Sequence, residues 1–207
     1  MNPVLVVATH NLKKGGEMIT LLSDLLPGVT IQTLADFPPA AEPEETGATY
    51  AENAKIKAEA AAAHTGELCI ADDAGLEVDA MGGEPGIYSK RFAGEETPFP
   101  HKMQVILERL AGVEGDARSA RFRCCVAIAA HGLETLVFER TCEGIIAHES
   151  SGAGGFGYDP IFFLPERGCT MADLTAAEKH QISHRGKVLP VAAEAIRGIL
   201  ALAPSVP

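Results

Sequence analysis

Five consecutive residues near the start of the chain, Val4-Leu5-Val6-Val7-Ala8, carry no polar side chain. A run this short and this uniformly apolar fits a strand covered on both faces, and such strands occur in sheets flanked by helices on either side. The residues that follow agree with that setting. Thr9-His10-Asn11 offers Thr or Asn as a cap, and residues 13–25 read as a helix that Pro27-Gly28 stops. A short strand over 30–34 leads into a Pro- and acid-rich loop over 37–47. Thr49-Tyr50-Ala51-Glu52 then has the capping-box pattern, opening an Ala-rich helix that Gly66 closes.

The alternation of strand and helix continues to the end. Leu68-Cys69-Ile70 reads as a short apolar strand that ends in Asp72-Asp73, before a turn-rich stretch through Gly82-Gly83-Glu84-Pro85-Gly86. Residues 100–110 place Met103, Ile106, Leu107 and Leu110 on one helical face. Over 118–130 the period changes to two, with Ala120, Phe122, Cys124, Val126 and Ile128 on one side and Arg121 and Arg123 on the other. Gly132 turns this strand into a second long one over 134–146, which makes an antiparallel hairpin. A buried strand over 161–164, a short helix over 174–182 and a terminal helix over 188–202 complete the pattern. With no repeat or linker, the expectation is one domain over residues 1–207, α/β in class with a mixed sheet flanked by helices.

Composition narrows the functional classes. Of 207 residues, 46% are hydrophobic and 22% charged, enough for a substantial core and too apolar for a disordered chain. A formal charge of −11 argues against sequence-independent binding to nucleic acid or anionic membrane, which needs a basic footprint. An anionic substrate would therefore need a local cationic pocket, a metal, or both. The five cysteines form no C-x-x-C pair and no zinc spacing, and read as buried reduced thiols. No stretch approaches a membrane span, and the N-terminal apolar run is too short for a signal peptide, so a cytoplasmic protein is expected.

Three segments carry possible chemistry. Asp72-Asp73 on a strand suits a hard cation held by oxygen ligands, with the two carboxylates on opposite faces; it is equally ordinary turn chemistry. Gly152-Ala153-Gly154-Gly155-Phe156-Gly157 satisfies G-x-G-x-x-G, but a strand rather than a helix follows, so it is no dinucleotide fingerprint. What remains is a glycine loop presenting Phe156, Tyr158 and Asp159, able to stack a base and bond its edge, or to serve as a structural turn. Lys179, His180, His184 and Arg185 gather cations that suit a carbonyl or phosphate, or form a solvated surface. Walker A, H-E-x-x-H and G-x-S-x-G patterns are absent.

Taken together and in order, these segments resemble the inosine/xanthosine triphosphate pyrophosphatase family. The resemblance rests on Ala8-Thr9-His10-Asn11-Leu12-Lys13-Lys14 with Glu17, Glu44-Glu45-Thr46-Gly47 with Glu52-Asn53-Ala54, Ala71-Asp72-Asp73 through Gly86-Ile87-Tyr88-Ser89, Gly155-Phe156-Gly157-Tyr158-Asp159-Pro160, and Glu178-Lys179 with Ser183-His184-Arg185. It implies an elongated sheet in two lobes with the active-site cleft between them. The implied activity is Mg²⁺-dependent hydrolysis of deaminated purine nucleoside triphosphates (ITP, dITP, XTP) to monophosphate and pyrophosphate, in a homodimer.

The resemblance also implies roles. Thr9, His10, Asn11, Leu12, Lys13 and Lys14 would grip the polyphosphate at a helix N-terminus. Glu44 and Asp73 would hold Mg²⁺, with Asp73 the catalytic residue that orients or deprotonates water and Asp72 a less settled partner. Phe156, Gly157, Tyr158, Asp159, Lys179, His184 and Arg185 would surround the purine. Donors there would favour a six-position carbonyl over adenine's amine. Ala74 replaces the Ser or Thr of many relatives at a substrate-binding position, and His180 stands where Asn or Ser is common. The alternatives are a non-catalytic nucleotide-binding module on the same fold, and a pyrophosphatase for pyrimidine or modified nucleotides.

Overall fold

Leu5, Val6 and Val7 are fully buried in β1 (Val4–Val7), as their composition requires. In this computed structural model, which describes residues 2–202, β1 pairs in parallel with β2 (Thr30–Thr33) on one side and β3 (Leu68–Val78) on the other. The register places Val6 opposite Gln32 and Cys69. Helix α1 (Leu12–Leu25) links the first two strands, and α2 (Tyr50–Thr65) precedes the third. The sheet continues through β4 (Ser119–Ala129), β5 (Leu136–Ile146), β6 (Phe162–Leu164) and β7 (Cys169–Thr170), in the order β2-β1-β3-β4-β5-β6-β7. Its last two pairings are antiparallel, so the sheet is mixed. Helices α3 (Phe99–Arg109), α4 (Ala176–Ile182) and α5 (His184–Leu202) complete the α/β fold.

The chain divides into two compact units. One holds the chain up to Asp73, Cys124–Arg140 and the chain from Arg185 onward. Its interior is built from Leu5, Val6 and Val7 of β1, from Met18 and Leu22 of α1, from Ala54 and Ala58 of α2, and from Leu189, Ala192 and Ile196 of α5, all without solvent exposure. The other unit holds Ala74–Arg123 and Thr141–His184. Its core packs Leu76, Val78, Ile106, Phe122, Ile146, Ile161 and Phe162, with Phe122 and Phe162 ring centroids 4.4 Å apart. All five cysteines are thiols, four of them buried. No helix among the described residues is long and apolar enough to cross a membrane.

Three boundaries differ in ways that bear on the site. The aspartate pair does not end its strand, because β3 runs on to Val78: Leu76 and Val78 are fully buried, and Glu77 makes a cross-strand ion pair with Arg123 at 2.8 Å. Residue Leu34 leaves β2 for a short turn, because Thr33 N–H donates to Asp36 Oδ2 at 2.7 Å and caps that turn instead. Helix α5 starts four residues before the expected 188, directly after the extended Ser183, and its Pro190 lies on the solvent side.

Candidate active site

The polar residues singled out above fall into two groups, one in each unit. In the first, β3 presents Asp72 and Asp73 to opposite faces, as period two requires. Asp72 is 2% exposed, and its Oδ2 accepts from Arg185 Nη2 at 2.6 Å and Nε at 3.2 Å, with Lys14 Nζ 3.8 Å away. Arg185 Nη1 donates to Glu17 Oε2 at 2.6 Å, so the guanidinium bridges two carboxylates. Burial works against the Asp72 charge, but Lys14 and Arg185 outweigh it and hold the carboxyl well below the usual range. The same buried charge, added to desolvation, pushes the neighbouring Cys124 thiol up to about 12. Asp72 Oδ1 is buried without a hydrogen-bond partner.

Asp73 has a different environment. Its Oδ1 accepts from Lys57 Nζ at 3.0 Å, and its Oδ2 from Asn53 Nδ2 at 3.4 Å. Burial raises its pKa, and Lys57 and Lys14 only partly offset that. Lys57 also donates to Glu45 at 2.9 Å; burial opposes its charge, yet Asp73, Asp72 and Glu45 keep the ammonium more firmly protonated than usual. Sequence reasoning missed Lys57. The signal was its i, i+4 spacing from Asn53 on α2, which puts both on one helical face.

The acid-rich loop is fastened to the start of α2. Gly47 N–H donates to Asn53 Oδ1 at 2.9 Å and Ala48 N–H to Glu52 Oε2 at 2.6 Å, while Thr49 caps the helix. A Cβ on Gly47 would stand 2.6 Å from both Asn53 Oδ1 and Glu52 Cβ, so only glycine fits that approach. Of the two glutamates, Glu45 reaches the Lys57–Asp73 pair, whereas Glu44 is exposed. Among the described residues no cluster of three or more His, Cys, Asp or Glu is arranged as a metal cage. The available ligands are nonetheless hard oxygens, and the unpartnered Oδ1 of Asp72 belongs to the same acid pair, so the chemistry of the set fits Mg²⁺.

At the start of α1, Asn11 is the N-cap, its Oδ1 accepting from Lys13 and Lys14 N–H at 3.1 Å each. Thr9 Oγ1 accepts from Asn11 N–H at 3.2 Å, and His10 Nδ1 lies 3.7 Å from Glu42. Leu12 is 92% exposed. The first turn carries Lys13 and Lys14 and no acid, the reverse of what the helix dipole favours, which concentrates positive charge at a helix start suited to an anion.

The second group lies on the glycine loop and α4. Asp159, 3% exposed, accepts from Lys179 Nζ at 2.7 Å and from Phe156 N–H at 2.8 Å through the same Oδ2. The Lys179 ammonium stands 4.5 Å from the Phe156 ring centroid. A Cβ on Gly155, whose φ is +67°, would fall 2.1 Å from Asp159 Oδ2, so this loop closes only around a glycine. Gly157 follows the half-buried Phe156. Tyr158 is buried, its hydroxyl donating to the Ser89 carbonyl at 2.9 Å. His184 is 6% exposed and stacks on Phe122 at 5.0 Å. Ala74 is half-buried on β3 and brings no hydroxyl. The structure thus brings Phe156, Asp159 and Lys179 together in one unit; Arg185 lies in the other and contacts Asp72 and Glu17.

The paired aspartates, the lysine-rich helix start and the aromatic glycine loop all lie within one family match. A sequence model of the Ham1 family matches residues 5–195, and the chain belongs to that family. It is 50% identical over 185 residues to a dITP/XTP pyrophosphatase of Geobacillus kaustophilus, covering 89% of this chain and 90% of the relative. A dITP/XTP pyrophosphatase of Listeria monocytogenes is 44% identical with similar coverage, 89% and 90%. Among solved structures, the Ham1 protein of Staphylococcus aureus superposes with a TM-score of 0.85 at 38% identity, covering 95% of this chain and 99% of that one. A HAM1 protein from Coxiella burnetii gives 0.80 at 38% identity, covering 97% and 100%.

Proposed function

We propose that this chain is a nucleoside triphosphate pyrophosphatase that hydrolyses deaminated purine nucleoside triphosphates (ITP, dITP and XTP) to the monophosphate and pyrophosphate, in the cytoplasm and as a homodimer. The relatives' names support the reaction. The observation that carries the reading for this chain is the split environment of the aspartate pair: Asp72 held by Arg185 and Lys14, Asp73 beside it held by Lys57 and Asn53. Asp73 orients the attacking water and takes its proton, and Asp72 sets the local charge.

Thr9, Asn11, Lys13 and Lys14 hold the phosphates at the start of α1, with His10 and Leu12 beside them. Glu44 and Asp73 would hold Mg²⁺, with Glu45 and Asp72 contributing oxygens of the same hardness. When bound, that ion neutralises phosphate charge and acidifies water. Lys57, on both Asp73 and Glu45, holds the two carboxylates in place. Phe156 offers its ring to the purine, while Asp159 and Lys179 hold the loop and, with His184, supply polar groups for the base edge. A site that hydrogen-bonds one substrate group rejects the analogue lacking it, because its own buried donors are left unpaired.

The test is release of pyrophosphate, as opposed to phosphate, from ITP, dITP, XTP, ATP and GTP, with Mg²⁺ and with EDTA. Pyrophosphate from the deaminated nucleotides in Mg²⁺ alone is expected. Equal rates on ATP, or phosphate as the product, would sink the reading.

A further inference from the structure

Lys102 sits in the first turn of α3 and is 1% exposed, although an ammonium there faces the positive end of the helix dipole. Lysine is almost never fully buried unless paired. Here backbone carbonyls and a ring take the place of water. Its Nζ donates to the carbonyl of Lys90 and, at 3.5 Å, to that of Glu95, and stands 5.4 Å from the Phe99 ring centroid. Burial lowers its pKa, while Glu95 and Glu96 act the other way. The gripped segment contains Ala93 at φ +55°, a left-handed conformation that a Cβ disfavours.

The same segment leads to the glycine loop. Ser89, just before Lys90, accepts the Tyr158 hydroxyl at 2.9 Å. Phe99, under the ammonium, meets the Tyr158 ring edge-on at 5.2 Å, and a Cβ on Gly157 would lie 3.7 Å from it. Tyr158 and Gly157 are the two residues between Phe156 and Asp159. We infer that Lys102 is a positioning residue for base recognition: by holding the 90–95 segment and Phe99, it fixes Tyr158 and hence the presentation of Phe156 and Asp159. This rests on the base-binding role proposed for that loop.

Lys102→Met, Tyr158→Phe and the double variant test it through two probes, inosine monophosphate and inorganic tripolyphosphate, with affinities measured by calorimetry beside ITP kinetics and melting. Each single variant should weaken inosine monophosphate about 10-fold, the value of one hydrogen bond, while tripolyphosphate affinity stays within about twofold. KM for ITP should rise more than kcat falls, and the double variant should be little worse than either single, as coupled positions behave. A Lys102→Met protein that melts lower yet binds inosine monophosphate like wild type would overturn the inference, as would equal losses for both probes. Should Lys102→Met not fold, Tyr158→Phe decides alone: wild-type affinity for inosine monophosphate overturns the proposal. Wild-type protein that binds tripolyphosphate but not inosine monophosphate would instead defeat the functional reading on which the inference stands.

Discussion

Asp72 and Asp73 are neighbours on one strand, and burial disfavours the charge of both. Asp72 overcomes it through Arg185 and Lys14, whereas Lys57 and Lys14 leave Asp73 with a raised pKa. Asp73→Asn should therefore lose turnover by ~10²–10⁴-fold, since both proton transfer and metal binding go, while calorimetric affinity for ITP is largely kept. Turnover near wild type in saturating Mg²⁺ would reject the assignment. Asp72→Asn should instead unfold more easily, by ~3–5 kcal/mol in urea titration, because Arg185 is left buried with half its carboxylate partners. Unchanged stability would show that Glu17 alone satisfies the guanidinium. The aspartates were legible in the sequence, and so was their division between two faces. Lys57 was not, because one lysine among two in an Ala-rich helix carries no mark except its spacing from Asn53. Nor was the choice of Glu45 over Glu44 as its partner, since adjacent glutamates in a loop have no periodicity to separate them.

At the level of elements, the signals that succeeded were periodicity and capping: the apolar run of β1, the alternation of β4, and the Thr49 cap. Those that failed were polar residues read as strand ends, since Asp72 and Asp73 are paired inside the sheet with long side chains from α1, α2 and α5. The mixed sheet was therefore readable and the reach of β3 was not. The tie between the acid-rich loop and α2 is also invisible without coordinates, because it depends on the missing Cβ of Gly47. Gly47→Ala should push Asn53 off the loop, its Cβ being 2.6 Å from the amide oxygen. The buried Asn53 would lose a hydrogen bond, a cost of ~1–3 kcal/mol, and its hold on Asp73 would loosen. Lower kcat with a lowered melting temperature is expected; a variant with wild-type kcat and melting would show that the loop does not depend on this contact.

For the whole molecule these local shifts combine into a pH dependence of stability. Asp72 is held below the ordinary carboxylate range by Lys14 and Arg185 against burial, Asp79 by hydrogen bonds from Arg121 and Ser119, Asp173 by Thr170, and Glu178 by Thr175. Each binds its proton less readily folded than unfolded, so its contribution is present above the ordinary value of about 4 and is lost on acidification below it. Asp73 acts in the opposite sense. Its folded pKa is raised, so its contribution is present below the ordinary value and lost as pH rises through the folded one. A net charge of −11 adds self-repulsion that acidification relieves, which is why the informative comparison is between chains differing at one carboxylate in one buffer. In EDTA at fixed salt, the urea midpoint of wild type should climb from about pH 3 to about pH 5 as the four depressed carboxylates ionise. Asp72→Asn should climb less, having lost the most buried of them. Asp73→Asn should gain on wild type as pH rises from about 4 to about 7, because it no longer has to ionise a buried carboxyl. If the Asp73→Asn midpoint instead falls relative to wild type over that interval, the Lys57 contact outweighs burial, and Asp73 is a permanently charged partner of Lys57 rather than a carboxylate poised to take a proton.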